Sequence, residues 1–177
     1  MKLATGFALL TIAVASAYSI SANAVETDHG NAAGPTARCQ SALPVFDGNI
    51  RKRPLGVQNE GSANAFITCS FEVDAVNATG NAPILLDTYF SSSVGPIDVN
   101  CTAVSGFQGG TNEFVSQTIA IDPADPDEPQ GNGVWVDTDF EGGLGSGLVS
   151  ISCNLPPGVA INDTYIWWVA DDLTAAP

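Results

Sequence analysis

The sequence predicts an all-β protein, a single antiparallel β-sandwich of the jelly-roll or immunoglobulin-like kind that carries two disulfides. Three observations support this prediction. Apolar and polar residues alternate along several segments, and clusters of Gly, Pro, Asn and Asp separate those segments at roughly 8 to 15 residues. The chain also has four cysteines, an even number. No segment combines a helical period with helix-capping residues, so we expect no substantial helix.

The N-terminal residues have the pattern of a secretory signal peptide. Lys2 supplies a positive charge, residues 7–15 form a short apolar run, and residues 22–24 match the small-x-small site that signal peptidases cleave. The apolar run is shorter than the about 20 residues that a membrane span needs. We therefore expect residues 1–24 to be a signal peptide, and we expect an exported protein, extracellular or periplasmic, with no membrane span.

Three further segments complete the expected organisation of the chain. Residues 25–37 are small and polar and include Gly and Pro, which predicts a flexible N-terminal arm. Residues 38–172 carry the alternating segments, so we expect them to form the sandwich domain. Residues 173–177 are then a short C-terminal tail.

The strands are predicted from the side of the chain on which the apolar residues fall. In residues 65–74 the odd-numbered side chains are apolar and the even-numbered ones are polar from Thr68 onward. A shift of one residue would bury carboxylates, so the register of this strand is well specified. Residues 97–103 and 149–155 repeat the pattern. The same reasoning predicts further strands at residues 83–91, 113–121, 134–140 and 164–170.

Two disulfides are expected, because an exported chain with an even number of cysteines normally oxidises them. Three pairings are possible. We favour Cys39–Cys69 and Cys101–Cys153, since each bridge then joins segments that are expected to pack together. Zinc ligation is disfavoured, because no two cysteines form a C-x-x-C unit and the single histidine is His29.

The charge of the chain excludes several classes of function. It is formally −14 at pH 7, and beyond the signal peptide the basic residues are Arg38 and residues 51–53. Nucleic acids and anionic membranes are bound through Lys and Arg, so we expect neither partner. His29 lies in the expected arm, where it could not hold the hydrogen-bond geometry that Ser-His-Asp catalysis needs.

Two motifs give the chain a resemblance to a group of small exported bacterial β-sandwich proteins. One is the Gly-Val-Gln-Asn turn at residues 56–59, which leads into Phe-Ile-Thr-Cys at residues 66–69. The other is the Cys-Asn-Leu-Pro-Pro-Gly turn at residues 153–158, which precedes a closing strand. The resemblance covers about residues 39–169. It implies the same kind of disulfide-bearing sandwich, and it implies no activity.

An acidic loop is the candidate metal site. Four carboxylates fall within seven residues of a proline-containing segment: Asp122, Asp125, Asp127 and Glu128. Calcium prefers hard oxygen ligands, and proline stiffens a loop that could present them. Ca²⁺ is therefore the one cofactor that the sequence suggests, and a plain solvated turn is the alternative.

Aromatic residues near carboxylates are the candidate ligand-binding residues. In the strand expected after the acidic loop, Trp135 shares a face with Asp137 and Asp139, and we expect that face to be the outer one. Trp167 and Trp168 are adjacent in another expected strand, so one points inward and the other outward. An exposed Trp beside carboxylates can stack on a sugar ring whose hydroxyls bond to the acid groups. The alternative is that these rings cover the core.

These features favour a secreted, non-enzymatic β-sandwich module that binds an extracellular ligand or protein partner, through a glycan or a Ca²⁺-dependent contact. Two alternatives stay open. One is a structural subunit of a surface fibre or coat, because few lysines protect the edge strands from self-assembly. The other is a small carboxylate glycosidase, for which Asp137, Asp139 and Glu141 are the candidates, since alternate residues of a strand share one face about 7 Å apart.

Overall fold

The computed structural model describes residues 24–73, 84–106, 112–127, 130–141 and 147–173, and these residues form a β-sandwich. The strands are β1 (Ala24–Ala33), β2 (Cys39–Ser41), β3 (Ile50–Arg53), β4 (Gly56–Asn59), β5 (Ala65–Val73), β6 (Ile84–Ser92), β7 (Ile97–Ser105), β8 (Glu113–Ile121), β9 (Gly131–Val136), β10 (Gly147–Leu155) and β11 (Val159–Leu173). The described residues also include a short helix, α1 (Pro35–Arg38), and 3-10 turns at Pro44–Phe46 and Asp137–Asp139. The prediction of an all-β antiparallel sandwich is confirmed.

The strands form two antiparallel sheets that pack face to face. Sheet A has the order β3-β4-β11-β6-β9. Strands β1 and β4 both pair with the edge of β11 that faces away from β6. Strand β4 pairs near the start of β11, and β1 pairs with its C-terminal part. Sheet B has the order β2-β5-β10-β7-β8. The outer face of each sheet is the face that is turned away from the other sheet.

The core lies between the sheets and is formed by alternate residues of the strands. In β5, β7 and β10 the inward residues are those that the alternation predicted, since Ile67, Val99 and Ile151 are each 0 % exposed. In sheet A the inward side chains include Val57, Leu86, Phe90, Trp135, Ile161 and Ile166. Because successive side chains of a strand point to opposite faces, the neighbours of these residues lie on the outer face of sheet A.

Both disulfides lie within sheet B, each between residues that are directly opposite in neighbouring strands. Cys39 of β2 is bonded to Cys69 of β5, and Cys101 of β7 is bonded to Cys153 of β10. The favoured pairing is therefore confirmed. The bridges span sequence separations of 30 and 52 residues. By restricting the unfolded chain, each bridge stabilises the fold by about 4 kcal/mol.

Side-chain hydrogen bonds join the two sheets where their edge strands β8 and β9 run past each other. Gln117 Nε2 donates to Val134 O at 2.7 Å, and Trp135 Nε1 donates to Val115 O at 3.1 Å. These bonds occupy backbone carbonyls that an edge strand would otherwise offer to another chain. They therefore tie the edge strands of the two sheets to each other on this side of the sandwich.

The N-terminal segment differs from the expected flexible arm. Residues Ala24–Ala33 form β1 and pair along their whole length with the C-terminal part of β11. The alternation of residues did not reveal this strand, because its residues are mostly small or polar and its partner lies at the other end of the chain. Strand β11 itself continues to Leu173, one residue past the expected end of the domain.

Two predictions concern parts of the chain outside the described residues. Residues 1–23 of the expected signal peptide lie outside the described residues, and its last residue, Ala24, begins β1. Removal of the signal peptide stays a prediction. Of the expected C-terminal tail, Leu173 is the last residue of β11, and residues 174–177 lie outside the described residues. Within the described part of the chain, no helix is long and apolar enough to cross a membrane.

Candidate functional site

Trp135 lies in the core and not on the outer face, where the sequence pattern had placed it. Its side chain is 0 % exposed, and a Cβ atom added to Gly133 would come within 3.1 Å of its ring. Gly133 thus leaves the inner side of β9 open for this large side chain. A buried indole needs a partner for its N–H, and Val115 O provides it. Trp135 is therefore a core residue, and its assignment as a ligand-binding residue is wrong.

Asp137 and Asp139 lie in a turn and not in a strand. Strand β9 ends at Val136, and a 3-10 turn follows at Asp137–Asp139. In this turn, Oδ2 of Asp139 accepts a hydrogen bond from Val136 N at 2.8 Å. Asp side chains commonly compete with strand pairing in this way. The strand that would have placed Asp137, Asp139 and Glu141 on one face is therefore not formed, so the arrangement on which the alternative of a glycosidase rested is absent at these residues.

Trp167 and Trp168 point to opposite sides of sheet A, as their adjacency predicts. Trp168 packs against the core and stacks on His29 of β1, with ring centroids 5.6 Å apart and planes at 15°. Trp167 lies between the inward residues Ile166 and Trp168, so it faces outward, and it is half-buried. Of the three tryptophans of the chain, Trp167 is the one on the outer face of sheet A.

Five half-buried side chains form a set on the outer face of sheet A that we call the aromatic platform: Asp87, Tyr89, Asn132, Tyr165 and Trp167. Asp87 of β6 lies opposite Tyr165 of β11, and Tyr89 of β6 lies opposite Asn132 of β9. Trp167 follows Tyr165 by two residues and shares its face. Opposite residues of an antiparallel pair have Cβ atoms about 5 Å apart, so these side chains form one continuous surface.

Gly30 of β1 leaves room for the ring of Tyr165 at the border of the aromatic platform. A Cβ atom at Gly30 would collide with the hydroxyl group of Tyr165. Gly30 also lies opposite Trp167 in the register of β1 and β11. The absence of a side chain at this position therefore allows the ring of Tyr165 to lie against β1.

Asp87 is the polar centre of the aromatic platform, and its hydrogen bonding is incomplete. Burial raises the pKa of its carboxyl above the ordinary value of 3.8, while hydrogen bonds from the Tyr89 side chain and the Thr88 backbone oppose that rise. Its Oδ1 atom is buried and accepts no hydrogen bond from the described residues, and the same is true of Oδ1 of Asn132. A buried acceptor without a donor costs about 1–3 kcal/mol. A ligand hydroxyl could relieve this cost.

We expect Asp87→Asn to raise the free energy of unfolding at neutral pH. The folded-state pKa of Asp87 lies above its unfolded value. The stability that the protonated carboxyl contributes is therefore complete below about pH 3.8 and is lost as the pH rises through the folded-state pKa. An amide stays uncharged, so the advantage of the variant should grow over this pH range. Urea unfolding followed by circular dichroism at a series of pH values measures it.

The control for this prediction is Asp98→Asn. Asp98 is exposed on β7 of the other sheet, so the variant reproduces the loss of one negative charge without changing the aromatic platform. If the free energy of unfolding of Asp87→Asn at neutral pH were equal to or lower than that of the parent, the result would contradict the burial that we assign to Asp87.

The acidic loop brings two of its four carboxylates to a small surface pocket. Asp122 and Asp125 line this pocket of about 250 Å³ together with Gln130 and Asn132. Each of the two carboxylates also holds the loop itself, because Asp122 Oδ1 accepts from the backbone two residues later at 3.0 Å and Asp125 Oδ1 does the same at 2.9 Å. Such bonds are typical of aspartate-rich turns.

A third carboxylate of the loop, that of Asp127, does not line that pocket. Asp127 is exposed, and Glu128 lies outside the described residues. Within the part of the chain that the structure describes, no group of three His, Cys, Asp or Glu side chains is arranged to hold a metal ion. Calcium binding by the acidic loop stays a prediction.

Four members of the aromatic platform are not among the residues that the sequence predicts as ligand-binding: Asp87, Tyr89, Asn132 and Tyr165. A partial signal was present, because Asp87 and Tyr89 are two residues apart in a predicted strand, and so are Tyr165 and Trp167. The sequence does not show that these two strands are neighbours. That adjacency depends on the order of strands within the sheet, which local patterns do not specify.

The fold and this site define a disulfide-stapled β-sandwich with an aromatic, carboxylate-bearing sheet face. No family model and no curated protein matches the chain. Among solved structures, the Podospora anserina GH26-CBM35 β-(1,4)-mannanase has 10 % identity and a TM-score of 0.39, and the match covers 84 % of this chain and 29 % of that chain. The chain therefore spans less than a third of the mannanase.

A second solved structure with weak similarity is TmCBM61 in complex with β-1,4-galactotriose. It has 9 % identity and a TM-score of 0.34, and the match covers 81 % of this chain and 88 % of that chain. Similarities this low carry no argument about the function of this chain.

Proposed function

We propose that this chain is a non-enzymatic carbohydrate-binding module that acts outside the cytoplasm and binds a neutral glycan on the outer face of sheet A. The observation that carries the proposal is the aromatic platform, where Asp87 shares the outer sheet face with Tyr89, Tyr165 and Trp167, and where its Oδ1 atom has no donor among the described residues. The two disulfides support the location, because such bonds persist in oxidising compartments.

The chemistry of the aromatic platform matches the chemistry of a sugar. One face of a pyranose ring presents C–H groups that pack on aromatic rings, which supply large apolar contact areas. The rim of the ring presents hydroxyl groups, and hydrogen bonds from O–H to a carboxylate are shorter and stronger than bonds between neutral groups. A sugar hydroxyl would satisfy Oδ1 of Asp87. A purely apolar ligand would leave that atom without a donor.

The charge of the chain favours a neutral glycan over an acidic one. The net charge is −14, and no Lys or Arg follows Arg53. The aromatic platform carries the carboxylate of Asp87, and Asp163 lies opposite Tyr89 at its border. An acidic sugar would bring like charges together on this surface. We therefore expect glycans made of uronic or sialic acids to be rejected.

The proposal is tested by isothermal titration of the protein with β-1,4-linked hexamers of glucose, mannose, galactose and xylose. A hexamer of galacturonic acid is the acidic comparison. We expect saturable binding to at least one of the neutral hexamers and none to the acidic one, because the platform offers rings and acceptors but no cation. Failure of all the neutral hexamers to bind at millimolar concentration would overturn the proposal.

A glycosidase is the second candidate function, because Asp163 gives the platform a second carboxylate near Asp87. The two residues occupy diagonal positions in neighbouring strands, for which the separation is about 7–8 Å. Carboxyl groups on positions this far apart can reach the spacing of about 6.5–9.5 Å that inverting glycosidases use. We expect binding without hydrolysis, since both carboxyls approach a sugar from the same open sheet face, whereas the inverting mechanism needs them on opposite sides of the scissile bond. Release of reducing ends by the parent protein, lost in Asp163→Asn, would replace the binding proposal with this one.

Assembly into a fibre or coat stays a prediction. The exchangeable element would be β1, which pairs with β11 of its own chain along its whole length. To add to another copy, β1 would first have to give up those backbone hydrogen bonds, each of which stabilises by about 1 kcal/mol. For this reason we propose glycan binding, and not self-assembly, as the function of the chain.

A further inference from the structure

A groove lies beside the aromatic platform on the outer face of sheet A. It has a volume of about 270 Å³ and is formed where β3, β4, β11 and β6 meet, with Gln58, Ser91 and Asn162 in its lining. Ser91 follows Tyr89 by two residues in β6, and Ala160 in the groove lies opposite both Ser91 and Gln58. The groove and the aromatic platform are therefore continuous along β6 and β11.

The polar groups of the groove are held in place and suit a ligand that is rich in hydroxyls. Ser91 Oγ donates to Asn162 Oδ1 at 3.1 Å, and Gln58 Nε2 donates to Gly158 O at 3.3 Å. Each side-chain amide has two N–H donors and two acceptor lone pairs, so these bonds do not exhaust its capacity. Gly158 has φ +81°, and a Cβ atom there would run into Val94. The turn that bounds the groove therefore requires glycine.

The wall formed by β3 and the turn to β4 favours a neutral occupant. Arg53 lines the groove, but its guanidinium is ion-paired with Glu60, and Glu60 also pairs with Arg51 at 3.3 Å. The charge of Arg53 is thus engaged within the protein. Leu55 lines the same wall and is 83 % exposed, so it offers an apolar surface on which a sugar ring can pack.

We infer that the groove is a second subsite for the same ligand, so that the chain binds a linear glycan of several sugar units and not a single sugar. This inference rests on the proposed function. Asp87 and Ser91 are four residues apart in β6, a span of about 13 Å at roughly 3.3 Å per residue. One sugar ring is shorter than that span. A glycan that stacks on the aromatic platform therefore extends along β6 and β11 into the groove.

Two variants of the groove test this inference. Ser91→Ala combined with Asn162→Ala removes two hydrogen-bonding groups, and Ala160→Leu fills the groove without changing a side chain of the aromatic platform. Each variant is titrated with the neutral β-1,4-linked hexamer that the parent binds most tightly and with the shortest oligomer of that sugar that the parent binds. For the double alanine variant we expect roughly tenfold weaker binding of the hexamer, the effect of two lost hydrogen bonds. Ala160→Leu should also weaken binding of the hexamer, because it fills the groove. Both variants should leave binding of the short oligomer unchanged.

The matched control is Thr102→Ala combined with Ser116→Ala, which removes a hydrogen-bonded hydroxyl pair from sheet B. Thermal unfolding midpoints show whether each variant is folded. The two groove variants change different residues, so the test remains possible if one of them does not fold. If the folded groove variants bind the hexamer as the parent does, or lose the same factor for both ligand lengths, the inference is overturned and the proposed function stands. If the parent binds none of the neutral hexamers, the proposed function fails and the inference fails with it.

Discussion

Replacing Trp135 with alanine is expected to lower the free energy of unfolding by about 4 kcal/mol, the middle of the range for buried aromatic side chains. Trp135 is the largest fully buried side chain among the described residues. Removing its ring leaves a cavity beside Gly133, and removing the indole N–H leaves Val115 O without that donor. Urea unfolding followed by circular dichroism measures the change.

The control for this prediction is Val134→Ala. Val134 precedes Trp135 in β9 and is half-buried on the opposite face of the sheet, so its truncation should cost about 1 kcal/mol. If Trp135→Ala were as stable as the parent, Trp135 could not lie in the core, and it would again be a candidate for contact with a ligand.

Trp167→Ala is expected to weaken binding of the neutral hexamer about thirtyfold or more, which corresponds to the roughly 2 kcal/mol that defines an energetic hot spot. Trp167 is half-buried on the outer face of sheet A, beside Tyr165 and Asp87. Its ring therefore remains available to a ligand, and its loss should cost the fold less than the loss of Trp135. Isothermal titration measures the affinity, and urea unfolding measures the stability of the same sample.

Phe114→Ala is the matched control for Trp167→Ala, since Phe114 is 66 % exposed on β8 of sheet B. Its truncation should leave the affinity for the hexamer unchanged. If Trp167→Ala kept the parent's affinity, or if Phe114→Ala lost as much affinity as Trp167→Ala, the ligand would not bind on the aromatic platform.

The strands that could be predicted from the sequence are those with one apolar side and one polar side. In β5, Ile67 is fully buried and Ser70 is exposed, and in β7 Val99 is fully buried and Asn100 is exposed. One face of sheet B meets the core and the other meets solvent, which imposes this alternation. The cysteines follow the same pattern, so the preferred disulfide pairing could also be argued from the sequence.

Strand β9 shows why the orientation of Trp135 could not be predicted in the same way. Val134 and Val136 are apolar but lie half-buried on the outer face, so both sides of this strand carry apolar residues. Alternation cannot decide the register of such a strand. The orientation is decided by packing, because Gly133 leaves space for the ring of Trp135 on the inner side.

The candidate site could be predicted only in part. The sequence predicts an outward tryptophan at residues 167–168, because an adjacent pair of tryptophans in a strand must place one ring outside. Asp87 cannot be predicted as a site residue from the sequence, because its importance depends on the neighbouring Tyr165 of β11 and on its own partial burial. The pairing of β1 with β11 was missed for the same reason, since it joins the two ends of the chain.

The most direct test of glycan binding on the outer face of sheet A follows the three tryptophan indole N–H signals in a proton–nitrogen correlation spectrum. Trp135 is bonded to Val115 O in the core, Trp168 stacks on His29, and Trp167 lies on the aromatic platform. The spectrum of Trp167→Phe assigns the Trp167 signal. During titration with the neutral hexamer that binds most tightly, we predict that this signal shifts to saturation while the Trp135 signal stays in place. A shift of the Trp135 signal alone, or no indole shift at saturating ligand, would contradict binding at the aromatic platform.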